Sequence, residues 1–348
     1  MINPKGKYIF GIVPSSSRIN KKTGDSGEMQ VHVVKSGKFS AIVAEAEIVD
    51  YKNSSRESLA HLLVYHQQVL EKIMADGHTV IPLKLGTVVK DENEVCSVLD
   101  RGGTLLKNIM KKIDGKVEID LLAVWNDFPS VLKKIGEEKE MLDFKQKLLA
   151  QSDPITENDQ RQAGIMVKQS LNRKKDQYAQ KINEKLHLFG DLVRVHEAIN
   201  DEIVFNTSFL IDNDRQKYFD EQVKVVNDEL GDELNFRTVG PLPCYSFYTL
   251  EVERIDFSQL DHARKFLELS VSASRDDIKT AYKNKALDVH PDRQKKTENV
   301  GNFNTVNQAF KTVMTYCAAT DLNPSPPHYY SFRQEDVDNN LIIVKLRG

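Results

Sequence analysis

His290-Pro291-Asp292 is the stretch of this chain whose residue types and setting speak most directly of chemistry. Before it runs Ser274 to Val289, in which Ile278, Ala281, Tyr282 and Val289 fall on one helical face. After it Phe303, Val306, Phe310 and Val313 recur at three- and four-residue steps, so a second helix can face the first. Pro291 disfavours helical geometry in the residue before it and ends the first helix at His290. Ser274 is placed to cap that helix, with Asp276 and Asp277 at the positive end of its dipole. Lys279 and Lys283 lie one turn apart on a face suited to an acidic partner, and Arg293, Lys295 and Lys296 keep the connection basic. The tripeptide alone is weakly specific; the helices on either side make it informative. The chemistry that Lys279 and Lys283 offer is charged recognition of an acidic partner.

Bond-breaking chemistry has less support. Gly-x-x-x-x-Gly-Lys and Gly-x-Ser-x-Gly are absent, and Arg101-Gly102-Gly103-Thr104 lies in a helical region with no preceding strand to make it a phosphate cradle. No Cys-x-x-Cys or His-Glu-x-x-His spacing offers a metal site. The expectation is a protein that is not an enzyme and carries no metal or cofactor. The 48 basic residues nearly balance the 51 acidic ones, which argues against nucleic acid or an anionic membrane as partner. Three scattered cysteines, Cys96, Cys244 and Cys317, point to a reducing compartment. With no signal-peptide pattern and no apolar run of spanning length, a soluble cytoplasmic protein is expected.

The elements that precede this module divide into two sheets. Tyr8 to Val13 reads as a buried strand, Ser15 to Glu28 as a surface loop, and Val31–Val34 with Phe39–Ile48 as a hairpin. Leu59, Leu62, Leu63, His66, Val69, Leu70 and Ile73 mark an amphipathic helix, on which His66 reads as a satisfied core histidine rather than a ligand. Thr79 to Val89 is extended, with Pro82 and Gly86 marking an edge, bend or bulge. Asp91–Ile113 reads as helix and Val117–Trp125 as a strand closing the first sheet, with Trp125 at its core edge. Phe128 to Phe189 reads as helical throughout, an antiparallel pair joined near Ser152-Asp153, with Pro154 starting the second helix and Arg173-Lys174-Lys175 on a solvated face. Leu192–Ala198, Ile203–Ile211, a helix on Phe219, Val223, Val226 and Leu230, Leu234–Val239 and Tyr245–Val252 make the second sheet, with Gly231 as helix C-cap. Asn339 to Leu346 is a possible last strand of open placement. The fold class expected is α+β, with two ferredoxin-like sheet domains joined by a helical arm.

Two resemblances follow from these residues. The Ala281-Tyr282-Lys283 segment, the tripeptide and the Phe303-x-x-Val-Asn-x-Ala-Phe310 helix resemble a DnaJ-type J-domain, a small all-α module. In that family the aspartate of the tripeptide engages a DnaK-type ATPase and the basic helix docks on its acidic surface, roles the resemblance carries to His290, Pro291, Asp292, Lys279 and Lys283 as candidate chaperone-binding residues. Lys285, Asp288 and Val289 depart from the pattern, standing for an apolar, a basic and an aromatic residue. Further upstream, Tyr8-Ile-Phe-Gly-Ile-Val13, His66-x-x-Val-Leu70 with Val80-Ile-Pro-Leu-Lys-Leu-Gly-Thr-Val88, and Gly240-Pro-Leu-Pro-Cys-Tyr-Ser-Phe247 together resemble the gas vesicle GvpF/GvpL family over residues 7–255. Leu85, Leu242 and Cys244 depart from its pattern.

The second resemblance implies an accessory or minor shell component of gas vesicles that binds the hydrophobic shell protein and aids its assembly, located at the gas vesicle or in the cytoplasm. The partners expected are the shell protein, other vesicle accessory proteins and a DnaK-type chaperone. A shell subunit exposes aggregation-prone surface before it assembles, which a binder with a chaperone-recruiting module would cover. An exposed sheet edge is expected to add a client strand, with Val80–Val88 and Tyr245–Val252 as candidates and Pro82, Gly86, Gly240, Pro241 and Pro243 as candidate client-binding residues that equally serve as turn formers. The competing reading is a general J-domain co-chaperone with an unrelated client-binding region. The expected boundaries are 1–126 for the N-terminal sheet domain, 127–190 for the arm, 191–256 for the second sheet domain, 257–320 for the J-domain and 321–348 for the tail.

Overall fold

The computed structural model describes residues 5–19, 30–47, 55–151, 154–189, 192–254, 256–288, 300–321, 328–338 and 342–346. The chain forms two compact units: residues 115–247 make one, and the segments before and after them together make the other.

The first unit is built on strand β1 (Lys5–Pro14), whose apolar run is buried along nearly its whole length. It pairs antiparallel with β3 (Phe39–Glu47), which pairs in turn with β2 (Val31–Ser36) across a turn at Gly37. On its other side β1 takes two short strands, β4 (Ile81–Pro82) and β5 (Val88–Val89). Helix α1 (Arg56–Ala75), capped by Ser55, buries Leu62, His66, Val69, Leu70 and Ile73 of the expected stripe, but Leu63 is half exposed and Tyr65 is buried in addition. The helical stretch expected over 91–113 is two helices, α2 (Glu92–Arg101) and α3 (Gly103–Ile113), broken at Gly102.

Strand β6 (Lys116–Trp125) corrects the expected boundary at 126. It belongs to the second unit, where it is a central strand between β8 (Ile203–Asp212) and β9 (Leu234–Leu242). The sheet order is β7-β8-β6-β9, all antiparallel, with β7 (Leu192–Val195) at one edge and β9 at the other. Ile119, Leu121, Ala123 and Trp125 of β6 and Phe205 and Phe209 of β8 are buried, and Phe209 meets Phe219 of helix α7 (Gln216–Leu230) at 5.2 Å between ring centroids. Helices α4 (Phe128–Gly136), α5 (Lys139–Leu149) and α6 (Glu157–Leu186) form the arm. Its second helix starts after Pro154, at a Thr156/Asp159 capping box. The joint expected at Ser152-Asp153 lies outside the described residues. Arg173 and Lys174 do more than face water: they reach Glu140 and Glu138 at 3.2 and 2.9 Å, linking α6 to the α4–α5 junction and α5. Trp125 packs edge-on against Tyr178 of α6, 5.2 Å between centroids.

The segment expected as one strand over 245–252 is instead a single turn of helix, α8 (Tyr245–Tyr248), followed by β10 (Leu250–Arg254). There the chain re-enters the first unit. Helix α9 (Phe257–Phe266), β11 (Ser272–Ala273), α10 (Arg275–Asp288), α11 (Val300–Asp321), β12 (Tyr330–Ser331) and α12 (Gln334–Asp338) follow, and β13 (Ile342–Leu346) ends the described chain. The tail therefore has a place. β12 pairs with β11, and β13 pairs with β10 over five residues.

Candidate functional site

Helix α10 opens with the cap its sequence predicts. The Ser274 hydroxyl accepts the Asp277 N–H at 3.1 Å while the Asp277 carboxylate accepts the Ser274 N–H at 2.8 Å, so two orphan donors are satisfied reciprocally. Hydrogen bonding to Ser274 holds the Asp277 carboxyl below its usual range. Ile278 is wholly buried against Val306, Ala309 and Val313 of α11. Tyr282 packs against Phe310 with ring centroids 4.3 Å apart and its hydroxyl donates to Asn307 at 2.7 Å, fixing the register of the two helices. Leu260, Leu267, Tyr316 and, from the tail, Tyr330, Phe332 and Val337 complete the cluster.

Lys279 and Lys283 are exposed on α10. Val289, the tripeptide His290, Pro291 and Asp292, and the basic residues Arg293, Lys295 and Lys296 lie outside the described residues. The departure at Lys285 has a local account: its ammonium meets Glu268 at 2.5 Å and lies 6.0 Å from the Phe266 ring centroid. Glu268 follows the end of α9 at a φ of 57°, and the N–H groups of Glu268 and Leu269 bond back to the carbonyls of Lys265 and Arg264, the Schellman arrangement.

The five candidate client-binding residues divide between the two units. Pro82 is buried in β4, opposite Gly11. Gly86, at a φ of 83°, donates its N–H to the Tyr8 hydroxyl at 3.3 Å. β4 and β5, from the Val80–Val88 segment, lie at the end of the first sheet. Val80, Ile81 and Leu83 are buried, Leu83 bonds to Phe10 on one side and bridges Leu250 on the other, and β10 is taken by β13. In the second unit Gly240 precedes a cis peptide to Pro241, and a Cβ there would sit 2.9 Å from the Glu118 carbonyl, so glycine is required for the approach of β9 to β6. Pro243 is buried, whereas Gly240 and Pro241 are exposed on the edge strand.

Two groups of residues escaped sequence reasoning. One is the edge strand β7, whose Leu192, Val193 and Val195 are 42%, 44% and 76% exposed. The other lies beneath the 240–246 turn, where Glu118 is almost wholly buried on β6. Its carboxylate accepts the N–H and the hydroxyl of Ser246 at 2.8 and 2.7 Å. Asp120, two residues on, accepts the Ser208 hydroxyl at 2.5 Å, and the His196 Nε2 lies 2.6 Å from that same hydroxyl. Burial, and secondarily Asp120, raises the Glu118 carboxyl to about 7. Burial pushes the neighbouring Cys244 thiol up to about 12. Serine stands between imidazole and carboxylate here, which is not the order that activates a serine nucleophile. The signal in the sequence was the pair Glu118 and Asp120, on one face of a strand that is apolar from Leu121 to Trp125.

His66 is the core histidine its position predicts. Its Nδ1 is 2.8 Å from the Tyr8 hydroxyl, the rings of Tyr8 and Phe10 lie 5.8 and 5.6 Å from its own, and burial pushes its imidazole down to about 4. No helix among the described residues is long and apolar enough to cross a membrane.

Comparison with known proteins accounts for both parts of the chain. The family described as gas vesicle synthesis protein GvpL/GvpF matches residues 6–249, and the DnaJ domain family matches residues 265–316. Gas vesicle protein F of Dolichospermum flosaquae is 25% identical over 250 residues, covering 70% of this chain and 98% of that protein. Its counterpart in Streptomyces sp. is 26% identical over 243 residues, covering 69% and 98%. The crystal structure of GvpF from Anabaena sp. PCC7120 superposes with a TM-score of 0.60 at 24% identity, over 70% of this chain and 98% of that one, and shows the shared fold. GvpF from Microcystis aeruginosa superposes at 0.59 with 23% identity, over 70% and 99%. The chain belongs to the gas vesicle GvpL/GvpF family and carries a C-terminal J-domain.

Proposed function

We propose that this protein is a gas vesicle assembly factor or minor vesicle component that binds the hydrophobic shell protein, limits its aggregation during nucleation, and recruits a DnaK-type chaperone through its J-domain. The observation that carries this reading is the joining of the two families in one chain, with the J-domain helices packed as a folded core. The role is one of binding, without catalysis, at the vesicle and in the cytoplasm.

The client surface is the open edge of the second sheet. The N–H of His196 bonds to the Asn206 carbonyl opposite, so by alternation of the ladder Val193 and Val195 turn their backbone groups away from β8. An apolar edge strand with outward N–H and C=O groups is a template for an added strand. Gly240 and Pro241, exposed on β9 at the opposite edge, are a second place for contact.

The test is co-expression with the shell protein, using the wild type, V193K/V195K and D292N. Wild type keeps shell protein soluble and co-purifies with the chaperone. V193K/V195K loses the shell protein, and D292N loses only the chaperone. Failure of the wild type to retain shell protein overturns the client assignment. Undiminished chaperone recovery with D292N overturns the recruiting role.

A further inference from the structure

The J-domain of this chain is bounded on both sides by strands that pair with each other. The chain enters it from β10 and leaves it through β13, and these run antiparallel from Leu250↔Leu346 to Arg254↔Ile342. β10 is itself rooted in the first sheet. Leu250 is wholly buried and bridges Leu83, its carbonyl accepts the Lys84 N–H at 2.8 Å, and Glu251 pairs with the Lys84 ammonium. β13 packs against α2 of the same sheet domain and against α11 of the J-domain, with Val344 almost wholly buried.

The tail has a second anchor at its other end. β12 pairs with β11, the Phe332 N–H bonds to the Val271 carbonyl at 2.8 Å, and Tyr330, Phe332 and Val337 lie in the J-domain core. Arg275, first residue of α10, pairs with Asp321 and donates to the Tyr330 hydroxyl at 2.8 Å, while Tyr330 donates to Asp321 at 2.7 Å. Residues 328–338 are thus part of the J-domain, and residues 342–346 are part of the sheet it stands on.

We propose that this C-terminal segment is a strap that fixes the J-domain on the N-terminal sheet domain, and that release of β13 is the step that frees the J-domain to reorient. A J-domain joined only through Arg254 and its neighbours would pivot about one strand end. The paired β10–β13 ribbon removes that freedom. A five-residue edge strand opens at far lower free energy than a domain core, so the strap can be undone without unfolding either part. A chaperone held by the strapped J-domain would work at a fixed place relative to the sheet domain.

The experiment needs neither chaperone nor client, and so stands apart from the function proposed above. Spin labels are placed at K107C on α3 and N284C on α10, in full-length protein carrying C96S, and the distance between them is measured by pulsed electron resonance. The strapped protein gives one narrow distance peak. V344D, which puts a charge in the buried strap position, and a chain ending at residue 341 each lose that peak to a broad distribution while keeping their helical circular dichroism. A broad distribution in the unmutated strap overturns the inference. So does a narrow one in the chain ending at residue 341, which does not depend on tolerance of the buried aspartate.

Discussion

The carboxylate of Glu118 holds Ser246 by both its backbone N–H and its hydroxyl, across 128 residues of sequence and with the acid itself almost wholly buried. Those hydrogen bonds favour the ionised form, yet burial outweighs them and Asp120 adds repulsion, leaving the group at about 7 against a reference of 4.5. Lys116 on the same strand, Asp212 opposite it, His196 and Cys244 are further titratable groups near this site.

A folded-state value above the unfolded one means that the folded protein binds the proton more tightly. The stability that Glu118 contributes is therefore full below 4.5 and is lost as the pH rises through about 7, by on the order of 3 kcal/mol. Trp125 is the only tryptophan and belongs to this unit, so its fluorescence follows the event. Denaturant midpoints read from Trp125 should fall between pH 5 and 8 in wild type and stay nearly level in E118Q, whose amide oxygen still accepts from Ser246. A level wild-type profile would refute the assignment.

His66 should behave in the opposite sense in the other unit. Burial lowers its imidazole from 6.5 to about 4, so it stays neutral in the fold and accepts from or donates to Tyr8 at 2.8 Å. The stability this contributes is present above 6.5 and is lost as pH falls toward 4. The His66 ring signal in a proton NMR titration should not move above pH 5. Y8F should lower the stability of the first sheet by about 1 kcal/mol, read as faster hydrogen exchange along β1, because it removes the hydroxyl from a buried pair.

Glu268 sits at a φ of 57°, a conformation strained for any residue with a Cβ. Glycine at that position relieves about 1 kcal/mol, against the loss of an ion pair to Lys285 that is worth less because Glu268 is 75% exposed. E268G should therefore raise the thermal midpoint of the first unit, and E268A should lower it slightly, since alanine loses the pair without easing the backbone. A lower midpoint for E268G would show that the ion pair dominates.

These sites mark where local pattern is informative and where it stops. Ile278, Tyr282, Val306 and Phe310 were legible because a helix sets neighbours three and four residues apart, and two such stripes can only face each other. Val117–Trp125 was legible as a strand, but not its sheet: the same alternation fits either core, and the choice rests on pairing with residues near 205 and 238. Tyr245–Val252 looked like one strand because aromatic and strand-favouring residues recur through it. The Glu118 carboxylate instead captures Ser246 and turns that part into a helical turn. The pairing of Leu250 with Leu346 joins positions nearly a hundred residues apart, and nothing local to either announces it.

Lys279 and Lys283 offer the most direct test of the proposed docking face. Both are exposed on α10, on the side away from Ile278, which is wholly buried against α11. Charge reversal there leaves the core untouched, so helicity and thermal midpoint should be unchanged. If the partner surface is acidic, K279E/K283E should weaken association by about tenfold, mostly by slowing encounter, because exposed charges steer partners more than they hold them. The wild-type association rate should itself fall as salt rises from 0.05 to about 0.5 M, where the screening length shrinks to a few ångströms, and the reversed variant should show a flatter dependence. Stimulation of the chaperone's ATP hydrolysis at subsaturating protein reads out both effects. A variant that stimulates like wild type at low salt would place the docking contact on some other face of the J-domain.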